Sequence, residues 1–160
     1  LSTTFTLSTP SGFLIKETAM PNVHKDFHGT LSLGLDFLQK NYGAEGTREF
    51  LTGLAETVYA PLVEEIKKRG LDALREHWEN VFSLEEGEMA LRMEDNVLTL
   101  EVRKCPAVHH IKEHGYTISS NFCEHTRITN EGICHAAGFE CSVEYDQDQG
   151  RCVQRFWRAG

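Results

Sequence analysis

The spacing of hydrophobic residues changes several times along the chain, and each change predicts a change of secondary structure. In the first half, apolar residues recur every three or four positions, as they do on one face of a helix. This spacing predicts one helix over 24–41, a second after Thr47, a third over 61–70 and a fourth after Asp72. Over 89–103, apolar and polar residues alternate on both sides of a turn, which predicts a β-hairpin.

The remainder of the chain repeats this order of helices and then a hairpin. A short helix is expected from Pro106, and a longer one from Asn121 to about Ala137, with Glu124 placed to complete its cap. Alternation over 139–157 predicts the second hairpin. Since an isolated hairpin is marginally stable, we expect the two to form one four-stranded antiparallel sheet with helices on one face. The predicted fold class is α+β, with N-terminal helices first and two helices between the hairpins.

The start of the chain differs from the rest. Residues 1–19 are rich in Ser and Thr and show no helical period. We interpret them as a leader, non-native or disordered, with Met20 as the natural start; a natural extension is the alternative. Residues 20–160 are expected to form a single α+β domain, since their number suits one hydrophobic core.

Composition and charge narrow the classes of partner and the compartment. The formal net charge is -8 and no basic stripe is present, which argues against a nucleic-acid partner. No apolar run reaches the length that crosses a membrane, and no secretory leader pattern is seen. The five cysteines are dispersed among histidines. This usage indicates reduced thiols and a cytoplasmic protein rather than a disulfide framework.

The predicted helix after Asn121 carries the first candidate site. Cys123 lies in its first turn, where free N–H groups and the helix dipole favour a thiolate. Cys123, Thr126 and Asn130 share one stripe, flanked by Arg127, and this stripe is more polar than a core stripe should be. It predicts a nucleophilic Cys123, a substrate carboxylate held by Arg127, and substrate contacts from Asn130. The alternative is that this cysteine is a small buried hydrophobic residue.

Histidine supplies the second candidate. His28 lies within the apolar arc of the first helix, and His24 lies one turn earlier. We predict that His28 and Cys123 share one pocket, with His28 or His125 moving protons. A transition metal such as zinc, held by His28, Cys123 and His24, is the alternative to a site without a cofactor. The alternative to any role in a site is that His28 is buried and its ring bonds to a carbonyl.

Cys105 and the acidic run 85–88 are two further features that have more than one interpretation. Cys105 ends a predicted strand immediately before Pro106, which suits a reactive or substrate-contacting group and equally suits a buried cysteine. The acidic run 85–88 is interpreted as a solvated turn. Cys123 is expected to react with alkylating reagents faster than Cys141 or Cys152.

The order of these motifs resembles a known family. Cys105-Pro106, then Cys123 on a following helix, then Gly150-x-Cys152 before Phe156 resembles the L-2-amino-thiazoline-4-carboxylate hydrolase-like family. The layout over roughly 26–156 is also similar to the vinyl-reductase and TRAPP-type α+β domains. The resemblance implies a small cytosolic bacterial protein, and the family's namesake activity is hydrolytic ring opening of a cyclic sulfur-containing amino acid.

The resemblance also carries residue positions. It implies that Cys105, Cys123 and Cys152 occupy the family's cysteine positions. This chain departs from the pattern by adding other thiols and imidazoles, which puts the substrate in question. These additions are His125, Cys134, His135 and Cys141.

Three interpretations follow from the sequence. The first is a hydrolase that cleaves a C–N bond of a cyclic amidine or thiazoline type, in a small sulfur- or nitrogen-containing carboxylate. The second is a sensor-type domain that binds a metal or small ligand without catalysis. The third is a homodimeric scaffold in which the polar stripe of the Cys123 helix faces a partner chain. A small molecule is the expected partner in the first two, and neither nucleic acid nor a membrane is expected.

Overall fold

The computed structural model of the protein describes residues 24–160. The expected leader over 1–19 and the start at Met20 lie outside this range. The described helices are α1 (Phe27–Thr57), α2 (Ala60–Arg69), α3 (Leu71–Glu85), α4 (Pro106–Glu113) and α5 (Phe122–Ala137), and the strands are β1 (Glu88–Glu94), β2 (Val97–Lys104), β3 (Phe139–Asp146) and β4 (Arg151–Arg158). The predicted order of helices and hairpins is therefore confirmed. None of these helices combines the length and the apolar character needed to cross a bilayer.

A kink divides α1 into the two helices that the sequence predicts. Gly43 has φ +68°, a left-handed conformation that glycine adopts without a steric penalty. Thr47 was expected to cap the second helix, and this is wrong, because Thr47 lies inside α1. Its hydroxyl donates a 2.9 Å hydrogen bond to the Gly43 carbonyl.

A second glycine with a left-handed backbone conformation joins α2 to α3. Gly70 has φ +66° and directly precedes α3. Asp72, expected as the cap of this helix, lies within its first turn and pairs with Arg75 at 3.3 Å. An acidic side chain there still complements the helix dipole.

The two hairpins form a single antiparallel sheet with strand order β1-β2-β4-β3, as predicted. Register places one set of side chains in rows across the sheet. One row is Leu98–Phe156–Cys141, the next Leu100–Gln154–Val143, and the third Val102–Cys152–Tyr145. These rows face the helices, and the opposite face carries ion pairs such as Arg92–Glu101 and Arg155–Glu144.

Buried side chains form two clusters. One joins the sheet to α2, α3 and α5, and its largest fully buried member is Phe156. The other joins α1 to α4 and to the start of α5, around Leu35, Ile111 and Phe122. Cys105 packs against both clusters, so it marks the place where they meet.

Candidate functional site

A cavity of about 430 Å³ lies among α1, α3, α5 and the inward face of the sheet. Its walls expose mainly apolar surface, and they also carry residues that can form hydrogen bonds or transfer protons. A volume and lining of this kind suit a small organic ligand. The chemically active lining residues are His28, Tyr59, His77, Trp78, Glu85, Cys105, Cys123, His125, Thr126, Thr129, Asn130, Arg151, Cys152 and Gln154.

His28 and Glu85 form a buried pair on the cavity wall. His28 Nε2 lies 2.8 Å from a carboxylate oxygen of Glu85, and the two side chains are 8% and 13% exposed. A carboxylate accepts hydrogen bonds, so Nε2 carries the proton and the lone pair of a neutral ring falls on Nδ1. His28 therefore bonds to a carboxylate and not to a carbonyl, and it lines the same cavity as Cys123.

Glu85 is a member of the site that sequence reasoning missed. The run 85–88 was interpreted as a solvated turn, and for Glu85 this is wrong, because its carboxylate is buried against His28. Its position held a signal. Trp78, Phe82 and Glu85 are spaced by four and three positions, so Glu85 continues the inward stripe of α3.

Three cysteines line the cavity from three different elements. Cys123 lies in the first turn of α5, Cys105 directly precedes α4, and Cys152 is in β4. The Cys105 N–H donates to the Gly150 carbonyl at 2.9 Å, which ties the start of α4 to the β3–β4 turn. The fold thus brings together the three cysteines that the family resemblance singled out.

The expected lowering of the Cys123 pKa is wrong. Burial raises the pKa of this thiol to about 12, and the neighbouring thiols of Cys105 and Cys152 add to the shift. The N–H of Cys123 is also taken, because the side-chain carbonyl of Gln147 accepts a 2.9 Å hydrogen bond from it. Burial therefore outweighs the helix terminus, and the thiol is protonated near neutral pH.

The other two cavity cysteines behave alike. Burial raises the pKa of Cys152 to about 11 and raises the pKa of Cys105. Cys141 differs, because a hydrogen bond from Cys134 lowers its pKa. Cys134 is 2% exposed and Cys141 is partly exposed, so Cys141 is the member of that pair that ionises.

The order of alkylation should accordingly be the reverse of the sequence expectation. Brief labelling with limiting iodoacetamide at pH 8 should modify Cys141 before Cys123 and Cys152, since the thiolate is the nucleophile. Mass spectrometry of the digested protein reads the order. Cys134→Ala should slow Cys141 by removing its hydrogen-bond donor. Faster labelling of Cys123 in the wild-type protein would contradict the burial argument.

Alkaline pH should destabilise the fold partly through Cys123. Its pKa rises on folding from an ordinary 9.0 to about 12, so above pH 9 the unfolded chain loses a proton that the folded chain keeps. Stability linked to this thiol is complete below pH 9 and is lost as the pH rises towards 12. The melting temperature of Cys123→Ala should therefore fall less steeply between pH 8 and 10.5 than that of the wild type, by a few degrees. Parallel curves would mean that the thiol is not buried.

His125 lines the cavity beside these cysteines. Burial lowers its pKa, so its ring is neutral near pH 7. Its Nδ1 bonds to the Phe122 carbonyl, which can only accept, and the lone pair is therefore on Nε2. His125 thus keeps the chemical capacity to accept a proton that the sequence assigned to it.

Arg127 is not placed to hold a substrate. Its guanidinium bonds to Glu124 and lies 2.6 Å from Glu131, and the residue does not line the cavity. Glu124 was expected to complete the α5 cap and instead bonds to Arg127 and to the Tyr145 hydroxyl. Among the lining residues the single Lys or Arg is Arg151, which is exposed, directly precedes Cys152 in β4 and forms no ion pair within residues 24–160.

Asn130 does line the cavity, as predicted for a substrate-contacting residue. It is 3% exposed, and its amide donates to the Gln154 side-chain carbonyl at 2.7 Å. Gln154 in turn donates to the Cys152 sulfur at 3.3 Å.

Asn121, the expected cap of α5, makes no capping bond and donates to Gln39 at 3.1 Å.

The predicted metal set of His28, Cys123 and His24 is not assembled. Across the described part of the chain, no three His, Cys, Asp or Glu side chains are arranged to hold a metal ion. His24 is exposed, and its Nε2 lies 3.7 Å from the Asp26 carboxylate. His28 lines the cavity, and its Nε2 bonds to the Glu85 carboxylate.

Comparison with known proteins adds no assignment to this geometry. The chain matches no known protein family, and no curated protein is similar to it in sequence.

Proposed function

We propose that the protein is a small hydrolase-like enzyme in which the His28–Glu85 pair moves the protons. Its substrate is a small sulfur- or nitrogen-containing carboxylate of the cyclic amidine or thiazoline type, bound in the cavity. The observation that carries the proposal is the 2.8 Å contact between the buried His28 ring and the Glu85 carboxylate, on the wall of the cavity that also holds Cys123.

The pair has the parts that general acid–base catalysis needs. Glu85 fixes the tautomer and orientation of His28, and Nδ1 then holds the lone pair that accepts a proton. In the proposed step, water adds to the carbon of the C–N bond while one water proton passes to His28. His28 gives that proton to the ring nitrogen, and the second water proton follows it as the new hydroxyl becomes a carbonyl and the C–N bond breaks. Atoms and charge balance without a redox partner.

The protonated thiols take a different role from the one expected for a nucleophile. Neutral thiols are soft, polarisable contacts and weak hydrogen-bond donors, so Cys123, Cys105 and Cys152 suit the sulfur edge of a heterocycle. Arg151, an exposed residue in the cavity lining, replaces Arg127 as the proposed partner of the substrate carboxylate. This substrate class is the one that the resemblance of the cysteine order to the hydrolase-like family implies.

A sensor-type domain that binds a ligand without converting it is the second candidate. It is favoured by the raised pKa values of Cys123 and Cys152, which leave no thiolate in the cavity near neutral pH, and by the predominantly apolar walls. The two proposals share the site and differ in turnover.

Incubation with 2-amino-thiazoline-4-carboxylate tests the enzyme proposal. We expect a ring-opened product one water heavier than the substrate by mass spectrometry, and loss of about 100-fold or more in kcat/KM for His28→Ala. His135→Ala, an exposed change outside the cavity, is the matched control and should retain turnover. Saturable binding without product, for this compound and related cyclic amidines, would favour the sensor.

A further inference from the structure

Two residues that line the cavity each have a buried polar atom with no hydrogen-bond partner within residues 24–160. These atoms are the indole Nε1 of Trp78 and the hydroxyl of Thr129. Thr129 is 6% exposed. Buried polar groups are almost always paired, and an unpaired one destabilises the fold. The two come from different helices, α3 and α5, and both line the same cavity.

Other buried polar groups of this cavity do have partners. His28 is paired with Glu85, and Asn130 is paired with Gln154. The other tryptophan, Trp157, donates its indole N–H to Glu140 at 3.0 Å on the opposite face of the sheet. Exceptions to consistent pairing tend to mark functional sites.

We infer that Trp78 and Thr129 bind a neutral hydrogen-bond acceptor of the ligand, such as a carbonyl oxygen or a ring nitrogen. The inference rests on the proposed function only in taking the cavity as the substrate site, and it adds the chemical group recognised there. An indole N–H can only donate, so its partner must be an acceptor. The threonine hydroxyl can donate to the same acceptor.

A neutral acceptor fits this place better than an anion. Trp78 and Glu85 are seven positions apart on α3 and therefore share a face of that helix. A carboxylate beside Trp78 would approach the carboxyl group of Glu85 and would lie among apolar walls.

A pair of probes of equal shape tests the inference. Acetophenone carries a carbonyl where isopropenylbenzene carries a methylene group. We expect acetophenone to bind about 2- to 10-fold more tightly than the hydrocarbon, the contribution of one hydrogen bond. In ¹⁵N–¹H spectra, acetophenone should move the Trp78 indole proton downfield, whereas the hydrocarbon should not. The Trp157→Phe variant assigns the signal.

Substitution of the hydroxyl provides the second arm. Thr129→Val should reduce the preference for acetophenone, since only the Trp78 N–H remains as donor, and should raise the melting temperature of the free protein, because an unpaired buried hydroxyl is removed. Thr126→Val, on the same helix and also lining the cavity, should do neither. A hydroxyl with a purely structural role would lower the melting temperature when it is lost.

The outcomes separate this inference from the proposed function. Equal affinities for the two probes, with a stationary Trp78 signal, would overturn the recognition of an acceptor and leave the cavity as a binding site. Absence of any shift at cavity residues with either probe would overturn both. A preference of unchanged size in Thr129→Val would remove Thr129 from the inference.

Discussion

His28→Ala is expected to destabilise the fold by about 3–5 kcal/mol, the usual cost of breaking a buried pair by removing one partner. The substitution leaves the Glu85 carboxylate, only 13% exposed, without its partner at 2.8 Å. Chemical denaturation followed by circular dichroism measures the loss. A change of less than 1 kcal/mol would show that water reaches the carboxylate freely, contrary to its burial.

The double variant His28→Leu, Glu85→Leu separates the stabilising role of the pair from its catalytic one. Replacing both members of a buried pair by apolar residues of similar volume is often neutral. We therefore expect the double variant to recover most of the stability and to show no turnover of the thiazoline. Turnover by a stable double variant would exclude the pair as the acid–base group.

The elements of this fold were predictable because their signals are local. The alternation over 89–103 and 139–157 is complete within each hairpin, and joining the hairpins into one sheet needed only the marginal stability of each alone. The kink at Gly43 was visible as the end of one helix and the start of another. Each of these inferences depends on residues close together in the chain.

The hydrogen-bond partner of His28 was not predictable in the same way. Glu85 is 57 positions away along the chain, in a run whose local composition is that of a solvated turn. Whether a glutamate at the end of a helix faces water or a distant histidine depends on how the helices pack. Its spacing from Trp78 and Phe82 placed it on the inward stripe, but spacing cannot supply the partner.

The pKa of Cys123 was predicted with the wrong sign for a related reason. The position in the first turn of α5 is a local property and was identified correctly. Burial of the thiol is a property of the assembled cavity and is the largest cause of the raised pKa, to which the neighbouring thiols of Cys105 and Cys152 add. Arg127 shows the same limit, because its neighbours Glu124 and Glu131 on one helix satisfy the guanidinium before any substrate arrives.

The prediction that joined the two halves of the chain was that His28 and Cys123 share one pocket, and both residues line the cavity. The contact between α1 and α5 makes this possible, since α1 supplies His28 and α5 supplies Cys123. At Gly132, in α5, an added Cβ would lie 2.7 Å from the Cβ of Ala55 in α1. The two helices can approach this closely because position 132 has no side chain.

Gly132→Leu is therefore expected to destabilise the fold by about 3 kcal/mol, because a side chain at this position must push α1 and α5 apart. Gly53→Leu is the matched control, since a Cβ at Gly53 meets no atom within 4 Å. Leucine favours the helix over glycine, so this control should be neutral or stabilising by up to about 1 kcal/mol. Urea denaturation of both variants gives the comparison, and equal stabilities would show that the α1–α5 contact does not depend on Gly132.

Because the same contact brings the walls carrying His28 and Cys123 together, Gly132→Leu should also weaken acetophenone binding, whereas Gly53→Leu should leave it unchanged.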